Sequence, residues 1–299
     1  MDKHKLGIVI TAISAAGFGS LAIFLKIAYS YGANVITLLT LRFCMASIFF
    51  LVIMKLMNIP WQLTRTNLLY LIGLGAAGYG VMSNLFFYGV SLIPASIASL
   101  VLYTYPTMVC LLAFLLGDEE MFPQKIGALT VSAVGLILVI GPSFGNIEIR
   151  GITAVFAAAV VFSLYFIVSN RVLKEAHWLV GSAVVSISAA VFFGVGGFVI
   201  GVIDFTPPWQ VLASAVGIAL FSTVLAVGGL YAGISMIGPS KAAIVSTLEP
   251  VVTIILAAIV FEEMLTMVQF VGGALILSSI MILQLTRFGR QLETEKELK

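Results

Sequence analysis

Glu249 and Pro250 stand side by side within residues 242–261, a run that is otherwise almost entirely apolar. A carboxylate in such surroundings can bind a cationic group or accept a proton, and is by default a candidate functional residue. The proline frees a backbone carbonyl about one turn earlier in the helix. Ser246 and Thr253 recur with Glu249 at helical spacing, so the three side chains share one face. The pattern predicts a polar site on a broken helix.

The first half of the chain carries a similar break, Tyr103-Thr104-Tyr105-Pro106. Pro106 precedes Pro250 by 144 residues (250 − 106 = 144), and this shift places Tyr105 at the position of Glu249. The register therefore favours Tyr105 as the residue that faces the site, whereas the other polar residues of the helix share a face with Tyr103. The sequence leaves both open. A phenol there suits an amphipathic ligand, through stacking and a hydroxyl.

The composition determines which elements position these residues. The chain is 61% hydrophobic and 9% charged, far from the roughly 25% charged residues of soluble domains. Runs near 20 residues fit membrane-spanning helices and are too long for barrel strands. The prediction is an all-α integral membrane protein with ten transmembrane helices. The ten runs are approximately 6–26, 34–57, 67–90, 94–116, 124–141, 150–171, 178–203, 209–235, 239–260 and 265–286.

The distribution of Lys and Arg predicts the orientation. Ten spans put both termini on one side, and the loops and ends of that side hold nearly all the basic residues. The other side holds only Lys26 and Arg150, while Arg42 lies within a span. Under the positive-inside rule both termini are cytoplasmic. We therefore expect a multi-pass protein of the cell membrane, either a plasma membrane or a bacterial inner membrane.

The 144-residue shift also indicates an internal repeat. It aligns Gly7 with Gly151 and Gly89 with Gly233, and no gap is needed for more than a hundred residues. We expect a first five-helix repeat over residues 1–144, a second over 145–288 and a charged cytoplasmic tail over 289–299. Five is an odd number, so the two repeats have opposite orientations. Inverted repeats are typical of secondary transporters, which bind substrate near the membrane midplane where the repeats meet.

Further polar and aromatic residues are candidates for the site. Arg42, about eight residues into the second run, should pair with a carboxylate, a substrate carboxylate or helix-end carbonyls. Glu249 is the one clear mid-membrane carboxylate available to it, and a structural pairing is favoured over substrate binding. The remaining lining candidates are each more often helix–helix contacts than ligand contacts. They are Ser14, Phe18, Tyr79, Ser83, Asn84, Tyr88, Ser163, Phe166, Asn170, Ser222, Thr223 and Tyr231.

The other ionisable residues do not indicate catalysis. Asp118, Glu119, Glu262 and Glu263 follow spans, where they are expected to favour the dipole of the next helix. His4 and His177 fall outside the spans, so no metal cluster is expected inside the membrane. There is no phosphate-binding glycine loop with its lysine. We expect no enzyme, cofactor, metal or nucleic-acid partner.

Taken in order, the motifs resemble the drug/metabolite transporter superfamily of the EamA type. The segments that carry the resemblance are Leu248-Glu249-Pro250 with Phe261-Glu262-Glu263, Gly272–Ile276, Tyr105-Pro106 through Glu119, Gly127-Ala128 and Leu41-Arg42-Phe43. The resemblance implies a basket of ten helices that often exports amino acids or other small metabolites. It also implies that helices one, three, four, six, eight and nine line a central cavity. Tyr105, in place of a second carboxylate, leaves a single acid at the symmetric position.

These observations predict a secondary transporter that works by alternating access, with a small amphipathic metabolite such as an amino acid as its substrate. Transport is expected to run outward, with proton coupling through Glu249 as a hypothesis. The lipid bilayer is the other partner. A monomer is plausible, and the sequence leaves the oligomeric state open. A passive channel or facilitator is the first alternative, and a structural or assembly protein of the membrane is the second. Substrate, direction and coupling stay open.

Overall fold

The computed structural model of this protein describes residues 3–117, 121–141, 148–172 and 177–297, and the regular structure in these ranges is entirely helical. Two π-helical segments, Leu74–Gly80 and Leu220–Leu225, interrupt the series of α-helices. The α-helices are α1 (Lys3–Gly19), α2 (Leu21–Ser30), α3 (Val35–Leu56), α4 (Arg65–Gly73), α5 (Val81–Leu92), α6 (Ala95–Leu102), α7 (Tyr105–Leu115), α8 (Pro123–Ile140), α9 (Ile149–Val172), α10 (Trp178–Ile200), α11 (Trp209–Ala219), α12 (Ala226–Ile237), α13 (Pro239–Ser246), α14 (Leu248–Phe261) and α15 (Met267–Glu297).

Ten helical stretches in the described ranges are long and apolar enough to cross a membrane, which confirms the predicted fold class. Apolar side chains on the outside of the bundle, such as Val199 at 77% and Ile200 at 74% exposure, are those that lipid would cover. Spans 1 to 10 are Lys3–Ser30, Val35–Leu56, Arg65–Leu92, Ala95–Leu115, Pro123–Ile140, Ile149–Ser169, Trp178–Ile200, Trp209–Ile237, Lys241–Phe261 and Met267–Leu285.

Local sequence explains where the spans begin and end. The side chain of Asn34 accepts a hydrogen bond from the N–H of Thr37 and caps the start of span 2. Span 7 ends at Gly201, whose positive φ of 75° gives the left-handed turn that glycine adopts without strain. Pro106 and Pro250 lie in the first turns of α7 and α14, so spans 4 and 9 are broken as the sequence predicted.

Two features of the spans were not anticipated. Span 1 is broken at Ser20, between α1 and α2, without a proline. Spans 3 and 8 contain the π-helical segments Leu74–Gly80 and Leu220–Leu225, at nearly equivalent positions under the 144-residue shift. Such segments are rare and occur frequently at functional sites. All five interruptions fall near the middle of their spans.

The two halves of the chain pack around each other by one repeated scheme. Span 1 packs along span 8 as span 6 packs along span 3, while spans 2 and 7, 4 and 9, and 5 and 10 pack in pairs. Exchange of the two halves leaves this scheme unchanged, as a two-fold relation requires. Because each half has five spans, the halves cross the bundle in opposite directions.

Spans 4 and 9 are close together at one end of the bundle and apart at the other. Helix α6 packs against α14, whereas α7 packs against α8 and α9, and α13 packs against α1 and α12. We call the converged end, where Ala95 begins α6, the Ala95 end. The opposite end, where Leu115 finishes α7, is the Leu115 end. The divergence begins at the breaks beside Pro106 and Pro250.

The described residues leave some expectations untested. Asp118 and Glu119 lie outside the described ranges, as does the side chain of Asn170. The backbone of the expected tail continues α15 as far as Glu297.

Candidate functional site

Glu249 lies at the break of span 9, in the first turn of α14. Its Oε2 atom is 3.1 Å from the phenol oxygen of Tyr103, which donates to it from span 4. Although Glu249 lies near the middle of its span, the residue is only half-buried. In the described part of the chain no Lys, Arg or His forms an ion pair with it. Glu249 therefore combines a central position in the span with a partly exposed residue surface.

Tyr103 also contacts the backbone carbonyl freed by Pro250. Its hydroxyl lies 2.7 Å from the carbonyl oxygen of Ser246, one turn before the proline, as the sequence predicted for an exposed carbonyl. The hydroxyl of Ser246 bonds its own helix at Ala242. When Glu249 is ionised, Tyr103 can donate to it; when Glu249 is protonated, Tyr103 can accept from it and donate to Ser246. One phenol thus serves both protonation states of the acid.

Tyr105 is placed differently from Tyr103. It is half-buried, while Tyr103 is 4% exposed, and its hydroxyl has no hydrogen-bond partner among the described residues. Its ring packs 4.6 Å from that of Phe162 and 6.4 Å from that of Phe166, both in span 6. Ser163 is buried and donates to the Tyr105 carbonyl at 3.1 Å. Tyr103 therefore contacts the acid, and Tyr105 offers a ring and an unengaged hydroxyl.

The break in span 1 lies directly against Glu249. A Cβ atom added to Gly19 would stand 2.6 Å from the Glu249 backbone oxygen, so only glycine permits this approach. Thr253 is buried, and its hydroxyl lies 2.9 Å from the carbonyl oxygen of Gly19, which leaves it unavailable to a ligand. Ser20 and Ser222 pair through their hydroxyls at 2.9 Å and join span 1 to span 8.

Half-buried aromatic and polar side chains also occur in spans 1, 3 and 6. Phe18 lies in span 1 and Asn84 in span 3, and the amide of Asn84 has no hydrogen bond to another described residue. Tyr165 in span 6 continues the aromatic series, with its ring 6.0 Å from Phe162 and 5.5 Å from Tyr79. The arrangement combines one acid, several rings and unengaged polar groups, which suits a small ligand with both apolar and polar parts.

Arg42 is not paired as expected. Its Nε donates to the hydroxyl of Thr223 at 3.3 Å, and one terminal nitrogen donates to the hydroxyl of Tyr79 at 3.0 Å. No described carboxylate lies within salt-bridge distance, and Arg42 and Glu249 share no hydrogen bond. The expected pairing with a protein carboxylate or helix-end carbonyls is wrong, because span 2 packs on spans 7 and 8, with its inner face toward spans 3 and 8 rather than span 9. The expected alternative of a substrate carboxylate stays a prediction.

The Ala95 end is closed by a cluster around Glu263. Its carboxylate is 2.9 Å from the ammonium of Lys26 and accepts from the backbone N–H groups of Ala95 and Ser96, each at 3.2 Å. The hydroxyl of Ser96 donates to it as well, at 3.0 Å. Glu263 thus caps α6 in the other half of the chain. The expectation that it serves the helix that follows it is wrong, because the turn after α14 points toward span 4.

The sequence missed several of these residues. Sequence patterns do not single out Ser20, Tyr165 or Lys26, although Gly17 and Gly19 come directly before the break in span 1. Tyr165 is the neighbour in sequence of the candidate Phe166 and points about 100° away from it on the helix. Lys26 was counted only for orientation.

A separate cavity of about 700 Å³ lies at the Ala95 end, between span 2 and the loop that follows span 7. Thr40, Phe198 and Asp204 are among its lining residues, and none of the residues around Glu249 contributes to it. It is therefore distinct from the central site.

The sequence of this chain is similar to known transporter sequences in both of its halves. Residues 5–141 and residues 149–285 each match the EamA-like transporter family. The chain is 26% identical over 257 residues to an uncharacterized transporter of Archaeoglobus fulgidus, a match that covers 83% of this chain and 87% of that one. It is 26% identical over 215 residues to an uncharacterized transporter of Synechocystis sp., which covers 67% of this chain and 61%, less than two thirds, of that relative.

A solved crystal structure has the same fold. It superimposes with a TM-score of 0.68 at 17% identity and covers 96% of this chain and 98% of its own.

Proposed function

This chain belongs to the EamA-like transporter family, and on that premise we propose that it is a secondary transporter that moves a small amphipathic metabolite by alternating access. An amino acid is the substrate class that fits best, because one carboxyl group and several aromatic rings can hold an ammonium and an apolar side chain. The observation that carries the proposal is Glu249, half-buried at the central break and bonded only to Tyr103 among the described side chains.

Glu249 is proposed as the residue that binds the substrate ammonium or exchanges it for a proton. An ionised carboxylate held inside a membrane protein without a cationic partner is costly, so its charge has to be balanced by another positive group or removed. A proton and an ammonium group compete for the same oxygens. Competition of this kind couples the movement of the two species in opposite directions.

The other site residues fall into two classes, those with groups available to a substrate and those already bonded within the protein. Tyr105, Asn84 and Phe18 present unengaged or half-buried surfaces and are proposed to contact the substrate. Ser246, Tyr103 and Thr253 hold the acid and the broken backbone in place. Ser163, Ser222 and Tyr79 are engaged with neighbouring spans and are proposed to fix the positions of those spans.

The orientation of the bundle supports export as the proposed direction of transport. The excess of Lys and Arg supports cytoplasmic termini, so the Leu115 end faces the cytoplasm and the closed Ala95 end faces outward. A site reached from the cytoplasm suits export. We place the protein in the cell membrane and propose that a single chain carries the whole site. The closed Ala95 end opposes the alternative of a passive channel, which needs a continuous path.

The test uses purified protein in proteoliposomes. A thermal-shift screen against amino acids and related metabolites identifies a ligand, since binding to the native state raises stability. Counterflow of that radiolabelled ligand should saturate, and an imposed pH gradient should drive its net movement. Glu249→Gln should reduce the pH-driven component about tenfold or more, a change of about 1.4 kcal/mol or more.

Glu148→Gln is the matched control, because Glu148 is an exposed carboxylate at the Ala95 end and outside the site. It should leave transport unchanged. Transport indifferent to the pH gradient in the wild type would remove proton coupling, and non-saturable flux would favour a channel. No binding of any metabolite by either wild type or Glu249→Gln would favour a structural protein.

A further inference from the structure

Arg42 is among the largest fully buried side chains of the described residues, with 1% of its surface exposed. Its guanidinium carbon lies 5.0 Å from the ring centre of Phe43, 5.7 Å from that of Tyr79 and 5.3 Å from that of Phe87. Three aromatic faces and two hydroxyls thus surround a permanently charged group. Such a costly residue in the membrane interior needs a reason beyond filling space.

The two hydroxyls that accept from Arg42 are related by the internal repeat. Tyr79 and Thr223 are 144 residues apart, the same shift that relates Pro106 to Pro250. A side chain that reaches the same position in both halves lies close to the axis that relates them. Arg42 therefore contacts the two halves of the molecule at equivalent points, one on each side.

Both acceptors belong to the π-helical segments. Tyr79 lies in Leu74–Gly80 of span 3, and Thr223 lies in Leu220–Leu225 of span 8. The hydroxyl of Thr223 also bonds the carbonyl of Ile218, five residues earlier. A π-helical turn has a wider and less regular hydrogen-bond pattern than an α-helical turn. These segments are therefore where spans 3 and 8 can change geometry most easily.

The position equivalent to Arg42 in the second half holds a different residue type. Residue 186 in span 7, 144 residues after Arg42, is a buried serine. Two arginines near one axis would place two like charges side by side, which is unfavourable in a low-dielectric interior. The single guanidinium, with donors on a planar fork, can instead serve both halves at once.

We propose that Arg42 is a positioning residue that couples the π-helical segments of the two halves, so that a change in one segment is transmitted to the other. It does not contact the substrate. Its charge is held by aromatic faces, and its hydrogen bonds bridge the two halves at their centre. The proposal stands on the geometry of Arg42 and does not depend on the substrate or on proton coupling.

Hydrogen–deuterium exchange of the full-length protein in lipid nanodiscs tests the coupling without any ligand. Peptides that cover Leu74–Gly80 and Leu220–Leu225 report the opening of each segment. Arg42→Gln should raise the exchange rate of both segments about tenfold, which corresponds to about 1.4 kcal/mol. Arg42→Lys keeps the charge but loses the planar fork, so it should raise exchange in both segments as well.

Two milder variants decide between coupling and a local role. Tyr79→Phe removes a hydroxyl only from span 3, and Thr223→Val removes one only from span 8. Under the proposal each variant raises exchange in both segments, including the one that it does not alter. An effect confined to the altered segment, or no effect in either, overturns the proposal. If Arg42→Gln does not fold, these two variants still give the answer.

Ser47→Ala is the matched control, because Ser47 is a buried hydroxyl of the same span whose only hydrogen bond to a described residue is to Phe43 of its own helix. It should leave both segments unchanged. If it raised exchange in both segments as Arg42→Gln does, the effect would belong to span 2 in general and the coupling role of Arg42 would be rejected.

Discussion

Gly7 of span 1 packs against Ile237 of span 8, and 144 residues away Gly151 of span 6 packs against Ile93 of span 3 in the same manner. A Cβ atom added at Gly7 would lie 2.6 Å from the Ile237 side chain, and one added at Gly151 would lie 2.5 Å from the Ile93 side chain. The scaffold of the two halves is thus repeated at the level of individual contacts. Its glycines are fixed by close helix packing, which both halves need equally.

The centre of the molecule is not repeated. Where span 9 has Glu249, span 4 has Tyr105, and where span 1 has Gly19, span 6 has Ser163. Ser163 donates to the carbonyl of residue 105, while Gly19 brings bare backbone against the carbonyl of residue 249. The helix-packing contacts are therefore present in both halves, whereas the carboxylate at the central break is present in one half. Two acids at related positions near one axis would oppose each other's ionisation.

The largest expected effect concerns the two ends of spans 4 and 9. Glu263→Ala removes the ion pair to Lys26 and the hydrogen bonds to the start of α6. Loss of one partner from a buried pair costs about 3–5 kcal/mol, and since Lys26 is partly exposed we expect about 3 kcal/mol. The Ala95 end should therefore open more often. A cysteine at buried Ser99, one turn into α6, reports the opening through labelling by a membrane-impermeant maleimide.

The labelling uses a background with Cys44→Ser and Cys110→Ala, so that only position 99 reacts. Glu148→Ala is the control, because Glu148 forms an exposed ion pair with Arg150 at the same end. Labelling should rise with Glu263→Ala and stay at the starting level with Glu148→Ala. Equal labelling of the two variants would mean that the cluster does not hold this end closed.

Much of this scaffold could be predicted from the sequence. Apolar runs of membrane-spanning length gave the ten spans, and Pro106 and Pro250 gave the breaks in spans 4 and 9. The 144-residue register anticipated the paired glycine contacts, because equal packing requires equal residues. These features depend on local composition or on the internal repeat, and both can be identified from the linear sequence.

The rest depends on contacts between distant residues. The π-helical segments have no proline or other residue type that marks an extra residue in a turn. The partners of Arg42 follow from how span 2 faces spans 3 and 8, and no local pattern encodes that facing. Glu263 caps α6 in the opposite half, and a contact between residues so far apart in the chain leaves no local sequence pattern.

Reciprocal substitutions at positions 19 and 163 test whether these equivalent positions have different packing requirements. Gly19→Ser places a side chain where the Glu249 carbonyl oxygen is 2.6 Å from the new Cβ, and overpacking of this kind costs about 2 kcal/mol. Ser163→Gly removes one buried hydrogen bond and a helix-favouring side chain, which together cost about 1–2 kcal/mol. Thermal unfolding in detergent measures both. Gly73→Ala is the control, because no atom lies within 4 Å of the new Cβ. It should leave the melting temperature unchanged.

If Gly19→Ser were as stable as the wild type, span 1 would be free to move away from Glu249, and the close approach would not be needed. If Ser163→Gly were the more damaging of the two, the asymmetry would run in the opposite direction. Either result would show that the centre is less constrained by Glu249 than the contacts indicate.

The smallest effect separates the two tyrosines beside the broken helices. Tyr103→Phe removes the donor to the Ser246 carbonyl and to Glu249, so it should lower stability by about 1 kcal/mol. Tyr105→Phe removes a hydroxyl without a partner among the described residues, so the melting temperature should stay the same while the KM of counterflow rises. Such a division of stability from substrate binding would assign Tyr103 to the acid and Tyr105 to the ligand. Equal losses of stability would contradict it, because both hydroxyls would then be structural.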